Sequence, residues 1–176
     1  NRSGYLTVVV TNQPVIARGE VTYEGLQEIH NKMETLLGKD GAYLDGIYFC
    51  PHHPDSGFEG EVKELKIDCE CRKPKPGLLL QAANDLNIDL EHSWMIGDGK
   101  NDVLAGKNAG CRTALIGNDD FGQDVTVDSL LSFVNQIVEK TDMDKLDEKI
   151  NRHLDFLIER YPGLKPCRED ILNAYY

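Results

Sequence analysis

Across 176 residues, 30 acidic side chains outweigh 19 basic ones for a formal net charge of −11, a balance that repels a phosphate backbone and excludes nucleic acid as an expected partner. No apolar run is much longer than YLTVVVTN, far short of the roughly 20 residues that span a bilayer, and no basic segment followed by an apolar one opens the chain. The expectation is a cytoplasmic protein without membrane contact, with one cored domain and the beginning of a second.

YLTVVVTN, residues 5–12, is a β-branched run closed by a turn-prone asparagine and predicts a buried strand. After the loop QPVIARGEV, residues 22–37 place Leu26, Ile29, Met33, Leu36 and Leu37 at helical spacing, with Thr22 as N-cap and Gly38 as the stop. GIYFC is a second short strand, and the stretch CPHHPDSGFEGEVKELKIDCECRKPKPG that follows from its last residue has neither helical nor strand period. Pro76 starts a helix through GLLLQAANDLN, SWMIGD is a third strand ending in an acidic turn, NDVLAGKNAG is a short helix stopped by Gly110, and RTALIG is a fourth strand. This alternation predicts an α/β fold, a Rossmann-like parallel sheet with helices on both faces, in which ligands sit at the carboxyl ends of the strands. Thr11, Cys50 and Asp98 fall at or just past such ends.

Residues 118–126, NDDFGQDVT, read as a polar break before a closing helix in VDSLLSFVNQIVEK. From Thr141 the pattern changes: Leu146, Ile150, Leu154, Leu157 and Ile158 form an apolar stripe on a charged helix, and after YPGLKP another helix begins in CREDILNAYY. The expected division is 1–140 and 141–176. The opening on Asn1 without methionine and the abrupt NAYY end predict a piece of a longer protein.

Five cysteines are an odd count, and three of them crowd the irregular loop, which suits metal ligation in a reducing compartment better than a disulfide framework. Cys50, Cys69 and Cys71 with His52 give C-x-H-x16-C-x-C, the three thiolates and one imidazole of a closed tetrahedral zinc site that ties the two ends of a long loop. His53, one residue on, is equally able to supply the imidazole. Cys111 and Cys167 read as free thiols of a core.

Three other segments point toward an anion. VVVTNQ ends a strand with hydroxyl and amide donors, CRKPKPG carries Arg72 and Lys73 in a segment stiffened by prolines, and IGDGKND ends a strand with Asp98 and, four residues on, Asp102. Each taken singly is an ordinary turn. Together, at neighbouring strand ends of a parallel sheet, they supply the hydroxyl, cation and acid that a phosphoryl group with a Mg²⁺ beside it requires.

In this order the segments VVVTNQPVIARG, FCPHHP, CECRKPKPG and IGDGKND resemble the haloacid dehalogenase superfamily of phosphatases, and within it the branch of D-glycero-D-manno-heptose-1,7-bisphosphate phosphatases and histidinol phosphatases. The resemblance covers residues 1 to about 117. It implies that Thr11 and Lys73 grip the transferring phosphoryl group, that Asn12 and Gln13 line its site, and that Arg72 contributes to substrate recognition. It also implies that Asp98 binds Mg²⁺, that Asp102 orients Lys73 or the metal shell, and that His52 is the zinc ligand in preference to His53. The family writes TNQSG where this chain reads TNQPV.

The family's nucleophile and acid/base pair are two aspartates in a D-x-D segment ahead of the threonine, and no acidic residue precedes Thr11 here. The expectation is therefore a Mg²⁺-dependent phosphomonoester hydrolase that removes the C7 phosphate of a heptose bisphosphate through an aspartyl-phosphate in its full-length form, with this chain inactive by itself. A histidinol-phosphate phosphatase is one alternative. Another is a non-catalytic zinc-containing domain that only binds sugar phosphate. The tail from Met143 to Tyr176, through ERYPGLKPCREDI, resembles the helical lead-in of a sedoheptulose-7-phosphate isomerase domain, which implies a fused or associated sugar isomerase.

Overall fold

The computed structural model describes residues 4–160 and divides into two compact units, the first ending at Leu130 and the second beginning at Leu131. In the first, β1 (Val8–Asn12), α1 (Tyr23–Lys39), β2 (Gly46–Cys50), α2 (Gly77–Leu86), β3 (Trp94–Gly97), α3 (Lys100–Ala109), β4 (Arg112–Ile116) and β5 (Val125–Val127) follow one another, with a single 3₁₀ turn at Lys63–Leu65. All strand pairs are parallel: β1 with β2, β3 with β4, and β4 with β5.

Side-chain alternation along β2 places helices on both faces of its pair. Gly46 and Tyr48 turn toward α2, where a β-carbon on Gly46 would lie 3.5 Å from Leu86 Cδ1. Phe49, of opposite parity, meets His30 and Tyr23 of α1 at ring centroid distances of 5.6 and 6.3 Å. On the other pair, α3 is pressed onto the strands at Gly106, where a β-carbon would come within 2.6 Å of Met95 Cβ and 2.7 Å of Thr113 Cγ2. The core is built from Ile16, Ala17, Leu26, Leu78, Ala82, Met95, Val103, Ala105, Ala114, Leu115 and Val127.

The hydrogen-bonded sheets are two, β1–β2 and β3–β4–β5, so β1 and β3 each keep one edge unpaired among the described residues. The Gln13 N–H bonds the Cys50 carbonyl, so odd-numbered residues of β1 face β2 and the carbonyl of Val10 faces the free edge.

Thr22 caps α1 as expected, accepting the Gly25 N–H at 3.1 Å. The helix runs past Gly38 to Lys39, because the left-handed residue that ends it is Gly41 at φ +73°. The buried face of α1 carries Leu26 and His30, leaving Ile29 and Leu36 of the expected stripe about half exposed. The polar stretch 118–126 and the closing helix 127–140 need a larger correction: Val125–Val127 form a short strand on β4 and the helix begins only at Leu130. The cause is Asp124. Its Oδ2 accepts both the N–H and the Oγ–H of fully buried Thr113, at 2.7 and 2.9 Å, and this docks the segment onto the sheet.

The second unit continues from α4 (Leu130–Phe133) through a π-helical turn at Val134–Val138 into α5 (Glu139–Arg160). Phe133 and Leu154 are buried and Ile150 and Ile158 half-buried. The CREDILNAYY helix and the part of the isomerase-like segment beyond Arg160 lie outside the described residues. No described helix is long and apolar enough to cross a membrane.

Candidate active site

The irregular loop leaves β2 at Cys50 and returns to α2 with its four candidate ligands together. Cys50 Sγ lies 3.5 Å from Cys69 Sγ and 3.6 Å from His52 Nδ1; Cys71 Sγ lies 3.2 Å from Cys69 Sγ and 3.3 Å from His52 Nδ1. All four atoms fall within 4.8 Å of one another. A tetrahedron with Zn–S bonds of about 2.3 Å has sulfur–sulfur edges of about 3.8 Å, so this donor set can hold a zinc ion with little adjustment. His53 is directed elsewhere: its Nδ1 accepts the Asp55 N–H and its ring stands edge-on to Phe58 at 5.5 Å.

The thiols are poorly matched to one another without a cation. Burial, the largest influence on all three, pushes the Cys50 and Cys71 thiols up, and for Cys71 the neighbouring sulfurs add to it. At Cys69 burial is outweighed by hydrogen bonds from Cys71, Cys50 and the N–H groups of Arg72 and Cys71, which hold that thiol below its ordinary value. A divalent cation stabilises the three thiolates that mutual repulsion opposes.

Local chemistry fixes the knuckle. Gly77 donates its N–H to the Glu70 carbonyl at 3.0 Å, and a β-carbon there would lie 2.3 Å from that oxygen, so only glycine allows the approach. The Lys75 ammonium bonds both Asp68 oxygens at 2.9 Å and Glu70 at 3.2 Å, bracketing Cys69. The Arg72 guanidinium crosses to the His52 carbonyl at 3.1 Å.

Two residues beyond Cys71, Lys73 enters a cleft of about 350 Å³ lined by Thr11, Asn12, Lys73 and Asp98 to Asp102. Here the carboxyl ends of β1 and β3 converge. Lys73 Nζ donates to Asp102 Oδ1 at 2.6 Å and to the Val10 carbonyl at 2.9 Å, leaving one of its three N–H groups. Thr11 Oγ1 accepts from Gln13 Nε2 at 3.1 Å, so its own O–H is left to donate. Asp98 is exposed, and among the described residues none hydrogen-bonds its carboxylate. The N-terminus of α3 opens into the same cleft at Lys100 and Asn101, where orphan N–H groups and the helix dipole favour an anion.

Of the residues expected from the sequence, Thr11, Asn12, Lys73, Asp98 and Asp102 line this cleft; Gln13 stands behind Thr11, and Arg72 lies against the zinc loop. Two contributors escape sequence reasoning. The Val10 carbonyl is invisible in a side-chain reading. Gly97 is required because a β-carbon there would sit 2.3 to 2.5 Å from the Asp102 side chain; a glycine immediately before the acidic turn was the available signal.

Residues 70–130 match the HAD-hydrolase-like family. Over 113 residues the chain is 49% identical to the D-glycero-beta-D-manno-heptose-1,7-bisphosphate 7-phosphatase of Yersinia pestis, covering 64% of this chain and 58% of that one. The similarity is to haloacid dehalogenase-like phosphatases. The alpha-specific counterpart from Burkholderia mallei is 39% identical over the same shares of the two chains. Among solved structures, the D,D-heptose 1,7-bisphosphate phosphatase of B. bronchiseptica, complexed with magnesium and phosphate, superposes with a TM-score of 0.66 at 29% identity, over 79% of this chain and 77% of that one. A putative HAD-like phosphatase from Mesorhizobium loti gives 0.62 at 36% identity, over 68% and 56%. Against the curated heptose-bisphosphate relatives this chain spans between 53% and 60% of their length.

Proposed function

We propose that this chain is the phosphoryl-gripping and zinc-clipped part of a phosphatase that removes the C7 phosphate of D-glycero-D-manno-heptose 1,7-bisphosphate. The observation that carries the reading is the convergence of Thr11, Lys73 and Asp98 in one cleft at two parallel strand ends, two residues along the chain from a Cys₃His cluster. It is supported by the 49% identity to the Yersinia pestis heptose-bisphosphate phosphatase over 113 residues, 64% of this chain.

In this reading the Thr11 hydroxyl and the remaining Lys73 N–H donate to phosphoryl oxygens, and the α3 N-terminus faces the same charge. Asp102 holds the ammonium in place through its 2.6 Å bond and is itself fixed by the Gly99 N–H at 3.1 Å. Asp98 is the carboxylate that takes Mg²⁺, whose exposed position beside the cleft suits a hard cation that keeps several waters. When bound, that ion neutralises charge developing on the phosphoryl oxygens. Gln13 orients Thr11, and Arg72, reaching from the zinc loop, sorts substrates. Zinc at Cys50, His52, Cys69 and Cys71 has a structural role.

The D-x-D carboxylates of the family would be supplied near the unpaired edge of β1, on the side of the Val10 carbonyl that the Lys73 ammonium bonds. Residues 1–10 carry no acidic side chain, so residues 1–176 by themselves are expected to bind phosphate without turning it over, the covalent step requiring such a carboxylate. The resemblance of the segment from Met143, through ERYPGLKPCREDI, to a sugar isomerase lead-in extends the proposal to a fused or associated sugar isomerase, and the proposed setting is cytoplasmic sugar metabolism. The test is phosphate release from heptose 1,7-bisphosphate and from histidinol phosphate, with and without Mg²⁺, by this chain and by a protein that adds the D-x-D strand. Turnover of the heptose substrate by the longer protein with Mg²⁺ is expected; faster turnover of histidinol phosphate, or turnover by this chain alone, overturns the reading.

A further inference from the structure

We propose that Asn12 is a positioning residue whose side-chain amide, engaged at both its donor and its acceptor, fixes the main chain of Lys73. The proposal rests on the reading of the cleft as a phosphate site. Asn12 ends β1. Its Nδ2 donates to the Lys73 carbonyl at 3.1 Å while its Oδ1 accepts the Lys73 N–H at 3.0 Å, across a sequence separation of 61 residues. A primary amide presents a donor and an acceptor side by side, and here both are turned to the two peptide groups of a single residue. The pattern is the one a neighbouring strand offers, with a side chain standing in for a backbone residue.

The consequence reaches the ammonium. β1 holds Lys73 twice, at its main chain through Asn12 and at its head through the Val10 carbonyl two positions earlier. With its Cα fixed against the strand, the long side chain gives up only torsional freedom when Nζ meets an anion, and a pre-placed donor binds better than one that must be collected from solvent. Asparagine is the residue that fits. Aspartate lacks the donor for the Lys73 carbonyl, serine cannot make both bonds at once, and glutamine adds a methylene that displaces them.

Amide hydrogen exchange in the ligand-free 176-residue chain reads the clamp directly. Asn12→Ala should speed exchange at Lys73 by about tenfold or more, leaving Ile96 and Ala114 unchanged, whereas Asn12→Asp, which keeps the acceptor, should leave Lys73 protected. Calorimetric titration with inorganic phosphate supplies a second readout. Asn12→Ala should weaken binding about threefold to tenfold in the parent chain, and less than about twofold further once Lys73→Ala is present, because the effect is carried through Lys73. Losses that multiply, or a Lys73 amide as protected in Asn12→Ala as in the parent, overturn the proposal. A parent chain that binds no phosphate overturns the phosphate reading of the cleft and leaves the exchange comparison to decide Asn12. Should Asn12→Ala not fold, Asn12→Ser takes its place under the same criteria.

Discussion

Lys73→Ala removes the cation on which the polar groups of the cleft converge. Its ammonium lies 2.6 Å from Asp102 Oδ1 and 2.9 Å from the Val10 carbonyl, with the two charged side chains only 11% and 13% exposed. A pair this sheltered is not the surface kind that contributes about 0–1 kcal/mol. A hydrogen bond to a charged group contributes about 1.5–3 kcal/mol, so losing the third N–H to a phosphate oxygen should weaken phosphate binding about 10- to 150-fold. Substitution also leaves the Asp102 carboxylate facing the anion without its counter-charge, which moves the expectation to the upper part of that range. Lys75→Ala is the control, because its ammonium bonds Asp68 and Glu70 and is 35% exposed on the knuckle. It should change phosphate affinity by less than about threefold, in keeping with a screened surface pair. Calorimetric titration of inorganic phosphate into the chain and both variants at one salt concentration makes the comparison, with zinc content measured on the same samples. Equal losses at the two positions would refute the reasoning and make the cleft a solvated charged surface.

Protein purified without chelator should contain about one equivalent of zinc; Cys69→Ser should lower it, and elemental analysis showing none, or a Cys50–Cys71 disulfide by mass spectrometry, sinks the assignment. Gly97→Ala should destabilise by about 1–3 kcal/mol and weaken phosphate, since its β-carbon would displace the Asp102 side chain from 2.3 Å; thermal melts and phosphate titration that match the parent count against the packing argument. The Thr113 N–H and hydroxyl hold the Asp124 carboxyl below its ordinary value, so its contribution is present above the unfolded carboxylate range and fades as pH falls through the lowered folded value. Asp124→Asn should flatten the acid limb of the stability curve, by a modest amount because the side chain is exposed, and an unchanged acid limb in urea titrations at several pH values excludes that role.

The parts of the fold that are legible in the sequence are those set by local physics. β1, β2, β3 and β4 announce themselves as β-branched or apolar runs, and Thr22 caps α1 by a bond to a residue three positions away. β5 is not legible, since three residues carry no period and their docking depends on Asp124 reaching Thr113 eleven positions back. Ile29 and Leu36 fit a helical stripe as well as His30 does, and only the packing of Phe49 against His30 decides which edge of that stripe is buried. At the site, C-x-H and C-x-C spacing identifies the Cys₃His cluster, but adjacent His52 and His53 cannot be separated by spacing. Phe58 separates them, by engaging the second ring.

The same distinction explains why Lys73 stands beside the Cys₃His cluster. Between Lys66 and Pro76 the chain has neither helix nor strand to place it, and its internal bonds are local, Lys75 N–H to the Arg72 carbonyl and the Lys75 ammonium to Asp68 and Glu70. Its position comes from outside: from the sulfurs of Cys69 and Cys71, from Arg72 on the His52 carbonyl, from Asn12 on the Lys73 main chain and from Asn108 on the Pro74 carbonyl at 3.0 Å. A zinc ion held at the cluster would therefore restrict the same few residues that a phosphate at the cleft would need ordered. Ordering met by one ligand is not required again of the other, so each should raise affinity for the other by the same factor. The prolines on either side of Lys75 act in the same direction, by narrowing what the unbound segment can do.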